Sequence, residues 1–165
     1  ITPVQLACAY TTIANRGIRK PLSLLRVDEP PKGERVADER IMDNIARSLE
    51  TVVEGGTGGK AGVPGYSVAG KTGTAKVAVA GGYGKDYVGT FAGFAPVDHP
   101  RFAMVVIVNQ PHKNGFYGGV VSGPVFSDVM STALQLYNIP PDRLPENEKS
   151  GRPESVRVAR NGSTK

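Results

Sequence analysis

Lys71-Thr72-Gly73-Thr74 combines a cation, two hydroxyls and a glycine within four residues. The stretch from Ser67 to Val79 around it reads as a β-strand. Glycines inside a strand, here Gly70 and Gly73, usually mark the close approach of another backbone or a ligand. Alternation along the strand sets Lys71 and Gly73 on one side and Thr72 and Thr74 on the other. On an edge strand, free N–H groups, two hydroxyls and an ammonium would line one rim. Such a rim suits an extended anionic peptide, with main-chain pairing from the edge and carboxylate contacts from the side chains. Taken alone, the four residues are read more simply as an exposed Lys–Thr pair on an ordinary edge strand.

The elements that must hold this strand are legible from spacing and punctuation. Thr2-Pro3 is an N-cap followed by the first helical residue. Leu6, Ala7, Tyr10, Ile13 and Ala14 recur on one helix face, and Gly17 is a C-terminal stop. Leu22–Val27 is expected to form a short strand, followed by a turn at Pro30-Pro31-Lys32-Gly33. A second helix is expected from about Asp38, with Ile41, Ile45, Leu49, Val52 and Val53 buried and Gly55 as its end. After Ser67–Val79 come a hairpin loop at Gly81–Gly84 and a second strand over Tyr87–Ala95. Phe102–Asn109 is a third strand, apolar almost throughout and therefore expected at the centre, covered on both faces. Short connections imply an antiparallel sheet. Val125, Val129, Ala133 and Leu136 predict a last helix packed on that sheet. The fold class expected is α+β. Residues 1–140 would form the ordered body, and residues 141–165 a polar, disordered tail.

Composition narrows the functions. The 165 residues carry 20 basic and 15 acidic side chains, net +5, with no basic cluster interleaved with aromatics. A solvated basic surface is expected, not a nucleic-acid partner. The longest apolar run, Phe102–Val108, is far below the roughly 20 residues of a membrane span. The opening Ile1-Thr2-Pro3 has no signal-peptide pattern and reads as the abrupt start of a fragment. One cysteine, Cys8, excludes an internal disulfide and reads as a buried, inert thiol. His99 and His112 have no Cys or carboxylate at ligand spacing, so no metal is expected. Asp86 and Asp98 read as turn residues, Met104 and Met130 as core. Gly55-Gly56-Thr57-Gly58-Gly59-Lys60 imitates a phosphate loop, but Ala61 stands where Ser or Thr should hold magnesium. It is read as a flexible connector.

The wider context changes the reading of the tetrad. Lys-Thr-Gly on a strand is one of three motifs of the penicillin-binding proteins and serine β-lactamases. Further blocks stand in register with it: Ile1–Ala7, Arg19–Ser23, Gly65–Ala75, Phe91–Pro96 and Tyr117–Phe126. Together they resemble the C-terminal part of the transpeptidase domain of a class B penicillin-binding protein, over roughly residues 1–140.

That resemblance implies specific roles. Lys71 would steady the proton network of the nucleophile and add positive potential. Thr72 and Thr74 would bond a terminal D-alanine carboxylate or its β-lactam mimic, and the Thr74 N–H would be half of an oxyanion hole. Gly73 would keep the cleft open, and Phe116 and Tyr117 would flank its mouth. Two loop aromatics covering a sheet edge would look the same. No cofactor is implied. The implied activity is D,D-transpeptidation of peptidoglycan stem peptides in septal wall synthesis, on the periplasmic side of the inner membrane, with divisome membrane proteins as partners and β-lactams as inhibitors.

The departures matter as well. None of the nine serines is followed by Lys at the third position, and none begins Ser-x-Asn. The nucleophile is therefore expected upstream, in another part of the same domain, and the isolated chain is expected to be inactive. A serine β-lactamase or penicillin-sensing receptor domain is a second reading. A non-catalytic peptide-binding module using the Lys71 edge is a third.

Overall fold

The structure is a computed structural model that describes residues 1–113 and 115–143. Helix α1 runs over Pro3–Ala14. Its start is a capping box. The Thr2 hydroxyl accepts from the Gln5 N–H at 3.2 Å, and the Gln5 side chain accepts from the Thr2 N–H at 2.8 Å. Gly17, with φ +84°, turns the chain where a Cβ would sit 2.4 Å from the Ala37 carbonyl oxygen. The chain then enters a small antiparallel ribbon, β1 (Ile18–Arg19) with β2 (Glu34–Arg35). No strand forms over Leu22–Val27, against expectation. No described segment pairs with it, and Leu24 and Leu25 stand exposed.

Helix α2 spans Glu39–Glu54, capped by the Asp38 carboxylate, which accepts from the N–H groups of Arg40 and Ile41. Its buried stripe matches the expected one in part: Val53 is buried and Ile45, Leu49 and Val52 are half-buried. Ala46, Glu50 and Val53 are buried, while Ile41 is exposed. Glu50 can occupy this face because the Arg47 and Arg143 guanidiniums both donate to its carboxylate.

Strands β3 (Ala69–Val79), β4 (Gly82–Ala95) and β5 (Phe102–Asn109) form one antiparallel sheet in the order β3-β4-β5. The hairpin turn is tighter than expected. Val79 pairs with Gly82, so only Ala80 and Gly81 turn, and β4 begins at Gly82 instead of Tyr87. Gly81 adopts φ +84°, a conformation such a two-residue turn demands. The centre of the sheet is β4, not β5. An edge strand reads as continuously apolar here because both its faces are covered. Met104 and Val106 pack into one core cluster, Ala103 into the other.

Those clusters lie on opposite faces. One joins Phe91 to Val53, Phe126, Met130 and Leu134, with the Phe91 and Phe126 rings edge-to-face at 4.7 Å. The other joins Ala69, Phe94 and Val97 to Ala46 of α2 and to Tyr10 and Ile13 of α1. After a short helix α3 (Gly118–Val121), helix α4 (Gly123–Leu136) covers the first face. It does so through Phe126, Met130 and Leu134. The expected Val125, Val129 and Leu136 are exposed. The helix is apolar on more than one side, so periodicity alone could not choose the face that meets Phe91.

The chain past α4 folds back on the segment that leads into β3. The Tyr66 hydroxyl donates to the Ile139 carbonyl at 2.6 Å, and the Ser67 N–H donates to the Asp142 carboxylate at 2.7 Å. The Arg143 N–H donates to the Gly65 carbonyl at 3.0 Å. Residues 144–165 of the expected tail lie outside the described residues. Among the described residues no helix is long and apolar enough to cross a membrane.

Candidate active site

Among the described residues β3 pairs with β4 alone, so its other edge is free. Three residues of β3 face the α4 side in succession, and each meets a different neighbour. A Cβ on Gly70 would lie 2.4 Å from the Phe91 ring. Gly70 is thus a glycine for core packing, which corrects its reading as a mark of ligand approach. Thr72, the cross-strand partner of Phe91, has its hydroxyl oxygen 3.0 Å from that of Thr57. The Thr74 hydroxyl accepts from the Gly118 N–H at 3.0 Å.

Gly73 differs from Gly70. The nearest atom to a Cβ there is Thr90 Cβ at 3.6 Å, ordinary contact, so the described residues do not require glycine at this position. Lys71 is exposed on the strand edge. Its Nζ donates to the Thr72 carbonyl at 3.1 Å and to the Thr72 hydroxyl at 3.2 Å. It makes no ion pair among the described residues.

The first turn of α3 is jammed against this strand. A Cβ on Gly118 would fall 2.2 Å from the Gly73 carbonyl oxygen and 2.3 Å from that of Thr90. A Cβ on Gly119 would fall 2.2 Å from the Thr57 carbonyl oxygen and 3.0 Å from Thr72 Cγ2. The two glycines allow backbone to touch backbone. Phe116 stacks on Tyr87 of β4, centroids 4.1 Å apart, and Tyr117 lies 4.6 Å from Phe116. Phe116 is half-buried and Tyr117 is 61% exposed. Both therefore sit beside the tetrad, one as a prop on the sheet and the other open to solvent.

Lys71, Thr72, Gly73 and Thr74 lie on β3, Phe116 and Tyr117 lead into the helix start packed against it, and the Thr57 hydroxyl meets Thr72. The sequence reading missed Thr57 because it lies in the glycine run taken for a connector. The only available signal was a hydroxyl residue in an otherwise featureless run. His99 and His112 are exposed, and no group of three His, Cys, Asp or Glu gathers among the described residues. Asp98 accepts from Arg47 and Asp86 from Gln110, as surface and turn partners. Chemically, the edge offers the Lys71 ammonium and the two threonine hydroxyls to a single anionic group. Thr74 already accepts from Gly118, which leaves its own proton to donate.

Comparison with known proteins gives the family of the chain. Residues 1–131 match the family described as penicillin binding protein transpeptidase domain. The chain belongs to the penicillin-binding protein transpeptidase family. It is 46% identical over 152 residues to the peptidoglycan D,D-transpeptidase FtsI of Escherichia coli (strain K12), a match covering 91% of this chain and 26% of that protein. It is 39% identical over 142 residues to the probable peptidoglycan D,D-transpeptidase PenA of Neisseria gonorrhoeae, covering 85% of this chain and 24% of that protein. The apo transpeptidase domain of penicillin-binding protein 3 from Burkholderia pseudomallei superposes with a TM-score of 0.81 at 40% identity. That match covers 87% of this chain and 45% of the solved one. This transpeptidase-family chain therefore has the α+β fold of that domain. It spans about a quarter of the length of the curated relatives it matches.

Proposed function

We propose that this chain forms the Lys-Thr-Gly wall of a serine-type peptidoglycan D,D-transpeptidase that cross-links stem peptides in septal wall synthesis. The observation that carries the reading is the free β3 edge, where Lys71, Thr72 and Thr74 present donors to one place. The family membership and the names of the relatives support it. The terminal D-alanine carboxylate, or the carboxylate of a β-lactam, takes the Thr72 and Thr74 hydroxyls and lies in the field of Lys71. A serine outside this chain attacks the penultimate D-alanine carbonyl, and the charge that develops on oxygen is met by the Thr74 N–H. One such preplaced donor lowers the barrier by about 3 kcal/mol. Terminal D-alanine leaves, and an amine of a neighbouring stem peptide accepts the acyl group. Gly73 leaves room for the ligand, and Tyr117 and Phe116 flank it. No cofactor takes part in this sequence. The protein acts on the periplasmic side of the inner membrane, among divisome membrane proteins and against the upstream part of its own domain.

Labelling with a fluorescent penicillin tests this. The full-length protein carrying the chain is expected to form a long-lived adduct. Lys71→Ala is expected to slow its formation by about 10²–10⁴-fold, the usual loss when proton transfer is disturbed. Undiminished labelling of Lys71→Ala would remove the strand from the active site. Rapid release of hydrolysed penicillin would point to a β-lactamase instead.

A further inference from the structure

The glycine run between α2 and the strands is not a slack connector. Gly58 donates its N–H to the Val52 carbonyl at 2.9 Å, at the end of α2. A Cβ on Gly56 would stand 2.8 Å from that same carbonyl oxygen. A Cβ on Gly58 would stand 3.1 Å from it and 3.2 Å from the Phe91 ring. The run is therefore pressed onto the last turn of α2 and onto the aromatic ring that lies opposite Thr72 in the sheet. From the other side, Gly119 brings α3 against the Thr57 carbonyl. The backbone on either side of Thr57 is thus held, and its exposed hydroxyl is 3.0 Å from that of Thr72.

The proton inventory gives this contact a consequence. A threonine hydroxyl has one proton to donate and two lone pairs to receive. One lone pair of Thr72 receives the Lys71 ammonium at 3.2 Å. If Thr57 donates to the other, the Thr72 proton has nowhere to go but outward, along the free edge. Either hydroxyl can donate across the 3.0 Å contact, and the ammonium already on Thr72 favours Thr57 as the donor, because it leaves the Thr72 proton free for an anion. A carboxylate only accepts, so it gains from a hydroxyl whose proton is already aimed at it.

We propose that Thr57 is a positioning residue for the substrate carboxylate. It donates to Thr72 and thereby holds the Thr72 proton toward the ligand, as Gly118 does for Thr74. The inference rests on the reading of the β3 edge as a carboxylate site and extends it to a residue outside the Lys-Thr-Gly strand.

The test uses the full-length protein and compares a penicillin with its methyl ester, which lacks the carboxylate. Acylation is followed by intact-protein mass spectrometry. Thr57→Val, which keeps the shape and loses the hydroxyl, is expected to slow acylation by the acid about tenfold, the scale of one hydrogen bond to a charged group. Acylation by the ester is expected to stay within a factor of about two, and Thr57→Ser is expected to restore the acid rate. An unchanged acid rate, an equal loss on acid and ester, or failure of Thr57→Ser would each overturn the assignment. Lys71→Ala run alongside separates the two levels. If it too acylates normally, the carboxylate-site reading falls. If it is slow while Thr57→Val is normal, only the role of Thr57 falls.

Discussion

The Gly118 N–H donates to the Thr74 hydroxyl at 3.0 Å, which ties the first turn of α3 to the last residue of the Lys-Thr-Gly-Thr tetrad. The two residues are 44 positions apart in sequence. The bond forms only because Gly118 has no side chain: a Cβ would intrude on the carbonyl oxygens of Gly73 and Thr90. Backbone cannot yield as a flexible side chain can, so α3 would have to withdraw.

Gly118→Ala is therefore expected to displace α3 and to slow acylation of the full-length protein by about 10²-fold, the cost of a misplacement near 1 Å. Gly59→Ala is the control. Its Cβ would meet nothing nearer than the Val53 carbonyl oxygen at 3.7 Å, and wild-type kinetics are expected. Stopped-flow measurement with a fluorescent penicillin distinguishes the pair.

Thr74→Val removes the acceptor of the Gly118 N–H and the donor to the ligand together. A partly buried N–H left unpaired costs about 1–3 kcal/mol. The variant is expected to lose that much stability in urea denaturation and to acylate slowly. Thr74→Ser, which keeps the oxygen, is expected to recover both.

Phe126 is fully buried and meets Phe91 edge-to-face. Phe126→Ala is expected to cost about 3–5 kcal/mol, from lost transfer free energy and the cavity left behind. Val129→Ala, on the exposed side of the same helix, is expected to cost less than about 1 kcal/mol. Equal losses would mean that α4 packs through the other face.

Glu50 is buried on α2 and accepts from Arg47 and Arg143, and the guanidinium of each is held above its ordinary range, first by the hydrogen bond it makes. For Arg47, Asp98 is the larger cause and Glu50 the second. Both arginines are half-exposed, so water hydrates their charge when the partner is lost. Glu50→Gln is expected to destabilise the protein by about 1–3 kcal/mol, measured as a lowered urea midpoint. Arg143→Ala is expected to cost less, because Arg47 still donates to the Glu50 carboxylate.

Burial holds the Tyr10 phenol above its ordinary value of 10.0, because the ionised form is desolvated between α1 and the sheet. The folded state therefore keeps its proton after the unfolded chain has begun to lose one. The contribution is fully present below the unfolded value and fades as pH rises through the folded one. Thermal melts are expected to show a fall in stability above pH 10.0 that is smaller in Tyr10→Phe.

The legible features were local ones. Thr2 and Asp38 announce helix starts by supplying the acceptor that free N–H groups need, and both caps form. The β3, β4 and β5 segments follow from alternation and from glycine punctuation, and the tetrad falls on β3. What misled was surface that is apolar on two sides. Val125 and Phe126 both continue a helical period, and only the Phe91 ring decides which one is buried. Leu22–Val27 is strand-like by composition, but a strand needs a neighbour for its N–H and C=O groups. Gly70 and Gly73 look alike in sequence. One lies against a ring at 2.4 Å and the other has room to spare.

The sequence by itself determined the residue chemistry of the edge, the element types around it and the family to which the chain belongs. The first two depend on side-chain type and on spacing within a dozen residues, and the third on blocks in register from Ile1 to Phe126. Tertiary structure alone decided which neighbours complete the edge. Thr57 meets Thr72 because α2, the glycine run and the Phe91 ring stack in one place, and Gly118 meets Thr74 because two glycines let a helix start touch a strand. Contacts between distant segments depend on packing in three dimensions, and no local period records them.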